Sequence, residues 1–188
     1  MILLTLAEGF EEIEALTPVD MLRRAGQTVK TVGVTGKVVM GAHGIPVTAD
    51  LGPEDVRAEE VTLLILPGGM PGTKHLDESA FVDGWIRQVA TNGGRLSAIC
   101  AAPMVLGKRG YLKGRHAVCY PGFESYLAGA VIEDSPVVTD GKITTARGMG
   151  VAFAFARELV RLTAGDEVAD RVALSTMPDG LPVPAKVF

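Results

Sequence analysis

Short runs of aliphatic and β-branched residues recur along this chain at intervals that leave room for a helix between them. The runs are MILLTL (1–6), TVKTVGV (28–34), VTLLILP (61–67), RLSAIC (95–100) and KITTA (142–146), and the segments of helical character lie near 11–25, 78–91, 101–109, 149–163 and 166–174. Such runs are too short for helices and apolar on both sides. A mainly parallel sheet covered by helices on both faces needs strands of that kind, so an α/β fold is expected. In VDGWIRQVA, Val82, Trp85, Ile86 and Val89 share one helical face, which assigns Trp85 to the core. KVVMGAHGIPVTAD (37–50) reads as an added hairpin with His43 solvated in its turn. With no repeat and no linker, the 188 residues form one domain, 1–188. The tail MPDGLPVPAKVF, with three prolines, is expected to lie extended over the body or over a partner.

Charge narrows the function classes. Eighteen basic against 22 acidic residues give a net charge of −4 with no basic run, which disfavours nucleic acid. No apolar run reaches the length of a membrane span, and MILLTLAEGF lacks the basic flank of a signal peptide, so a soluble, cytoplasmic protein is expected. The two cysteines, Cys100 and Cys119, have no metal-ligand spacing and in a reducing compartment read as free thiols; no metal site is expected.

In an open parallel sheet, ligands bind beyond the carboxyl ends of the strands. Three junctions there carry unusual residues. LAEGFEEIEALTPVD opens the first helix with Glu11, Glu12 and Glu14. The helix dipole accounts for Glu11 and Glu12, whereas Pro18 cannot satisfy the carbonyl of Glu14, which makes Glu14 the candidate acid. LILPGGMPG runs a strand into Gly68 and Gly69, where backbone N–H groups can approach a ligand closely. SAICAAP sets Cys100 between a strand and a helix whose first N–H groups would stabilise a thiolate. A strand-to-helix turn of this kind exposes a nucleophile in α/β hydrolases. Cys119 reads as a buried filler.

The blocks EGFEEIEALTPVDMLRRAG, LPGG, AICAAP and TTARGMG, in that order, resemble the ThiJ/PfpI superfamily and most closely its DJ-one branch, over essentially the whole chain. The resemblance implies a flavodoxin-like three-layer sandwich, a homodimer, and a reactive Cys100 on a nucleophile elbow interacting with a protonated Glu14. It also implies an anion pocket made by the N–H groups of Gly69 and Ala101, and places the region of Arg23, Arg24 and Arg147 near the dimer interface or the pocket rim. A carboxyl beside a thiolate in a partly dry pocket should keep its proton and donate it as a hydrogen bond.

One departure bears on function. Many members of the superfamily have a histidine where HAVCYPG here places Tyr120, and His116 lies four residues earlier, roughly 13 Å along an extended strand. Tyr120 reads either as packing or as a pocket donor, and His75, in GTKHLDE, as solvated. Without a histidine base, a cysteine peptidase ranks lowest. The leading expectation is a cofactor-independent enzyme on methylglyoxal-like dicarbonyls or glycated substrates, of glyoxalase or deglycase type. The alternative is a stress protein that signals through oxidation of Cys100.

Overall fold

The apolar runs pair through their backbones and are sealed by helices from either side. In the computed structural model, which describes residues 1–56 and 61–177, the chain runs β1 (Ile2–Leu6), α1 (Glu12–Arg24), β2 (Val29–Gly33), β3 (Val38–Met40), β4 (Pro46–Thr48), β5 (Leu63–Leu66), α2 (Gly72–Glu78), α3 (Ala80–Thr91), β6 (Arg95–Ile99), α4 (Pro103–Lys108), β7 (His116–Ala117), β8 (Val131–Ile132), β9 (Val137–Asp140), β10 (Ile143–Ala146), α5 (Ala152–Ala164) and α6 (Asp166–Ser175). The main sheet has the order β2-β1-β5-β6-β10-β9. All five strands expected from the sequence are in it and parallel, and β9 is added antiparallel at the edge.

Strand alternation distributes side chains between two cores. Ile2, Leu4 and Leu6 of β1 face Val19 and Leu22 of α1, Phe155 and Leu159 of α5 and Val172 of α6. Leu3, between them, faces the opposite layer, where Leu76 of α2, Trp85, Ile86 and Val89 of α3 and Leu106 of α4 are packed. Each fully buried leucine or isoleucine contributes about 1.5–3 kcal/mol, so both layers are needed to hold the sheet. The architecture is the expected α/β sandwich, and Trp85 is in the core.

Several boundaries differ from the sequence reading. The helix expected over 78–91 is α3, which starts at Ala80 because the Ser79 side chain accepts the Val82 N–H at 3.3 Å, and the short α2 just before it was not expected. The helix expected from 101 begins at Pro103 and spans only six residues. Pro18 sits inside an unbroken α1. The 37–50 hairpin is present as antiparallel β3 and β4. The tail beyond Met177 lies outside the described residues.

Parallel pairing brings the strand carboxyl ends to one edge: Leu6 is level with Gly33, Leu66 with Ala98, and Ile99 with Ala146. The loops that leave Leu6, Leu66, Ile99 and Ala146 therefore converge. They carry Glu11 to Glu14, Gly68 and Gly69, Cys100 and Ala101, and Arg147.

Candidate active site

Cys100 follows the last residue of β6 and has φ 64°, in the left-handed region that a non-glycine residue seldom occupies. Such a conformation costs about 1–3 kcal/mol and persists only where the surroundings fix it. Here both backbone groups of the cysteine are engaged, its N–H donating to Ala146 O and its carbonyl accepting the Tyr120 N–H, each at 2.8 Å. The turn closes with Ala102 N–H on Ile99 O at 3.0 Å. The side chain is thereby turned out of the strand and left partly exposed.

Glu14 approaches from the first turn of α1. Glu11 is the helix cap, its Oε2 accepting the Glu14 N–H at 2.7 Å, and its own N–H donates to Gly68 O at 2.9 Å. Glu14 itself is fully buried, with Oε2 accepting the Gly68 N–H at 3.0 Å and Oε1 buried without a hydrogen-bond partner. A buried oxygen with no donor is where a carboxyl carries its proton most easily.

The two glycines are explained by crowding. A Cβ on Gly68 would stand 2.4 Å from Glu14 Oε2 and 2.6 Å from Cys100 Cβ, so one methyl group would press on both. Gly69 has φ 90°, and a Cβ there would meet Glu11 N at 2.4 Å. The backbone N–H groups of Gly69 and Ala101 favour the charged form of the Cys100 sulfur. Because α4 starts three residues later and is only six long, these two N–H groups, rather than a helix dipole, are the donors beside the sulfur.

The pair is electrostatically coupled. Burial lifts the Glu14 carboxyl from 4.5 to about 7, against the influence of the neighbouring Cys100 thiol and the Gly68 N–H, with the charge of Glu11 adding to the rise. Burial also pushes the Cys100 thiol up, to about 12, together with the charge of an ionised Glu14 and the hydrogen bond to it; the N–H groups of Ala101 and Gly69 pull the other way. A low thiol pKa is therefore not built into the site when Glu14 is charged. When Glu14 is neutral, two of the three raising causes vanish and its O–H becomes a donor to sulfur.

Other expected residues lie elsewhere. Tyr120 is not in a strand; its ring is half exposed and edge-on to Phe123, and its backbone N–H donates to the Cys100 carbonyl. Arg147 follows β10 at the same edge, but its exposed side chain pairs with Asp134 at 3.6 Å. Arg23 is in the last turn of α1, bonded to Asp50 at 2.6 Å and Val29 O at 3.2 Å. Cys119 is buried in the second core, as expected. The three histidines are exposed, as expected for His43 and His75, and each also has a polar partner: His43 Nδ1 bonds Glu12, His75 Nδ1 bonds Glu8 O, and His116 bonds Glu133. Sequence reasoning missed that Glu12 is buried, for which a contact across 31 residues leaves no local signal. Among the described residues, the ligand-type atoms of Glu11, Glu12 and His43 lie within 4.8 Å of one another, but hydrogen bonds to His43 and to the Glu14 N–H already occupy them.

Comparison with known proteins follows the same lines. Residues 1–162 match the model of the DJ-1/PfpI family. The chain belongs to that family. It is 35% identical over 174 residues to the protein dj-1beta of Drosophila melanogaster, covering 91% of this chain and 93% of that one. It is 34% identical over 164 residues to the protein named Deglycase PfpI of Pyrococcus furiosus, covering 86% and 98%. The solved structure of oxidized Toxoplasma gondii DJ-1 superposes with a TM-score of 0.90 at 32% identity, covering 95% of this chain and 98% of that one. Among the described residues, no helix is long and apolar enough to cross a membrane.

Proposed function

We propose that this member of the DJ-1/PfpI family is a cysteine-dependent enzyme for small dicarbonyls such as methylglyoxal, and for their early adducts on proteins. The observation that carries this reading is a strained Cys100 beside the fully buried Glu14 carboxyl, the two so close that a Cβ on Gly68 would press on both; burial pushes that carboxyl up to about 7, and the N–H groups of Gly69 and Ala101 favour a charged sulfur. A carbonyl carbon needs a nucleophile, a place for the oxygen charge that develops, and a group that gives and then takes a proton. In the tautomer with the proton on Glu14, the Cys100 thiolate adds to the aldehyde carbon, and the Gly69 and Ala101 N–H groups stabilise the charge on the carbonyl oxygen. Glu14 gives its proton to that oxygen, forming a hemithioacetal. Now a carboxylate, Glu14 removes the hydrogen on C1 and returns it to C2, while the C1 hydroxyl proton passes to the C2 oxygen, giving the thioester of a hydroxy acid. Water hydrolyses the thioester, releasing lactate and the thiol. Release of dicarbonyl adducts from protein amines would use the same two residues, in keeping with the name of the Pyrococcus furiosus relative.

Lactate formation from methylglyoxal by the reduced protein tests this, because aldehyde loss alone would also report reversible thiol addition. The native protein is expected to turn over, with Cys100→Ser inactive and Glu14→Gln at least about 100-fold slower, the range of general acid–base catalysis. Lactate at native rates from either variant would refute the assigned roles.

A second reading uses the same sulfur. Cys100 is partly exposed beside three donors, which favours an oxidised sulfinate whose oxygens accept hydrogen bonds. Stoichiometric oxidation by peroxide with no lactate from any form would favour that role. None of the three histidines bonds to Cys100, and a peptidase is not supported.

A further inference from the structure

Glu12 is 4% exposed and takes no part in the chemistry above. Its two oxygens are both held by one residue of the hairpin turn: the His43 backbone N–H donates to Oε1 and His43 Nδ1 meets Oε2, each at 2.8 Å. The turn closes tightly over the carboxylate, since a Cβ on Gly41 would stand 2.2 Å from Oε1. The imidazole itself is 68% exposed, so its place in the turn is not explained by packing.

This contact belongs to a clamp on the loop that delivers Glu14. On one side the hairpin binds the loop through Gly9 N–H to Met40 O and Ala42 N–H to Phe10 O, both 2.8 Å, and through Met40 N–H to Glu8 Oε2 at 3.2 Å. On the other, Glu11 N–H reaches Gly68 O at 2.9 Å and Gly72 N–H reaches Gly9 O at 3.1 Å. The backbone between Glu8 and Glu12 is thus gripped between the hairpin and the Gly68 loop, and Glu14 emerges from it toward Cys100. The groups facing His43 are Glu12 and, farther off, Glu11, which together hold the imidazole's proton above the ordinary range. In its protonated form, which these carboxylates favour, His43 is a cation beside them at the start of α1.

We propose that Glu12 and His43 are a positioning pair for the Cys100–Glu14 site: they lock the hairpin to the first turn of α1, fix Glu14 against Gly68, and offset the acidic charge that would oppose a thiolate. This rests on Cys100 and Glu14 being the reacting pair. Without the cation, Glu11 and Glu12 raise the negative potential, the shared proton is held more firmly, and the thiolate fraction at a given pH falls.

The rate of Cys100 alkylation by iodoacetamide, followed by mass spectrometry between about pH 5 and 10, reads this without dicarbonyl turnover. In His43→Gln the midpoint is expected to rise by roughly half a unit to one unit, slowing alkylation about threefold to tenfold near neutrality. His43→Arg, which keeps a cation and a donor, is expected to retain the native rate near neutrality. Coincident profiles for native protein and His43→Gln would overturn the proposal, as would a failure of His43→Arg to restore the rate. The predicted shifts without lactate from the native protein would leave the positioning pair standing and remove the dicarbonyl reading.

Discussion

Glu14 is a fully buried carboxyl, and its linkage to folding has a definite sign. Its carboxyl has a pKa of 4.5 when exposed and about 7 in the folded chain. Between those values the folded protein holds a proton that the unfolded chain has released, so stability falls as pH rises through the window and is fully reduced above it. The penalty is on the order of 3 kcal/mol, the equivalent of two to three pKa units. Glu14→Gln has no such proton. Urea denaturation should therefore show the variant gaining on native protein by roughly 1–3 kcal/mol between pH 4.5 and 8. A difference that stays constant over that range would mean the carboxyl is not held neutral by burial. Glu14, Gly68, Gly69 and Cys100 each have a local reason in the sequence, in the first helical turn or at a strand end, whereas Ala101 entered only through the family resemblance. Glu12 and His43 were not legible there, since the reason for each is the other, 31 residues away.

The elements that flank the sulfur are short, and their stiffness comes from side chains. Helix α2 leaves the Gly68 loop and α4 leaves the cysteine turn, with seven and six residues, too few to be stable by themselves. Arg109, at the end of α4, joins them. Its guanidinium bonds Asp77 Oδ1 at 2.7 Å, the Asp77 carbonyl at 2.8 Å and Asp83 of α3 at 2.9 Å, with the side chain 18% exposed. Removing it leaves two carboxylates close together with less compensation, so Arg109→Ala should lose about 2–4 kcal/mol of stability in urea. Asp77→Ala combined with it should lose less than the sum of the two single losses. Additive losses would mean the guanidinium acts on each helix separately. Neither this network nor β9 was foreseen. Arg109 meets residues 26 and 32 positions earlier, and β9 is a four-residue, half-buried edge strand without the continuous apolar run that marked the others. The buried strands were legible because burial on both faces leaves a compositional trace; an edge strand does not.

At the scale of the whole molecule, the parallel sheet determines where chemistry collects. Five strands end at one edge, and the loops leaving four of them bring an acid, two glycines, a cysteine and an arginine to the same end. The expected sandwich and its functional edge followed from strand spacing, but the charge state of the site did not, because burial and the Glu14–Cys100 coupling exist only once the loops have met. The central claim is that this pair shares one proton and places negative charge on sulfur at neutral pH. The most direct measurement is thiolate absorbance near 240 nm against pH, native protein minus Cys100→Ser; Cys119, its thiol pushed by burial to about 11, stays silent near neutrality. Absorbance should rise through about pH 7, where the pair gives up its first proton. A difference signal that stays flat until about pH 12 would put the charge on Glu14 alone and contradict a nucleophilic Cys100.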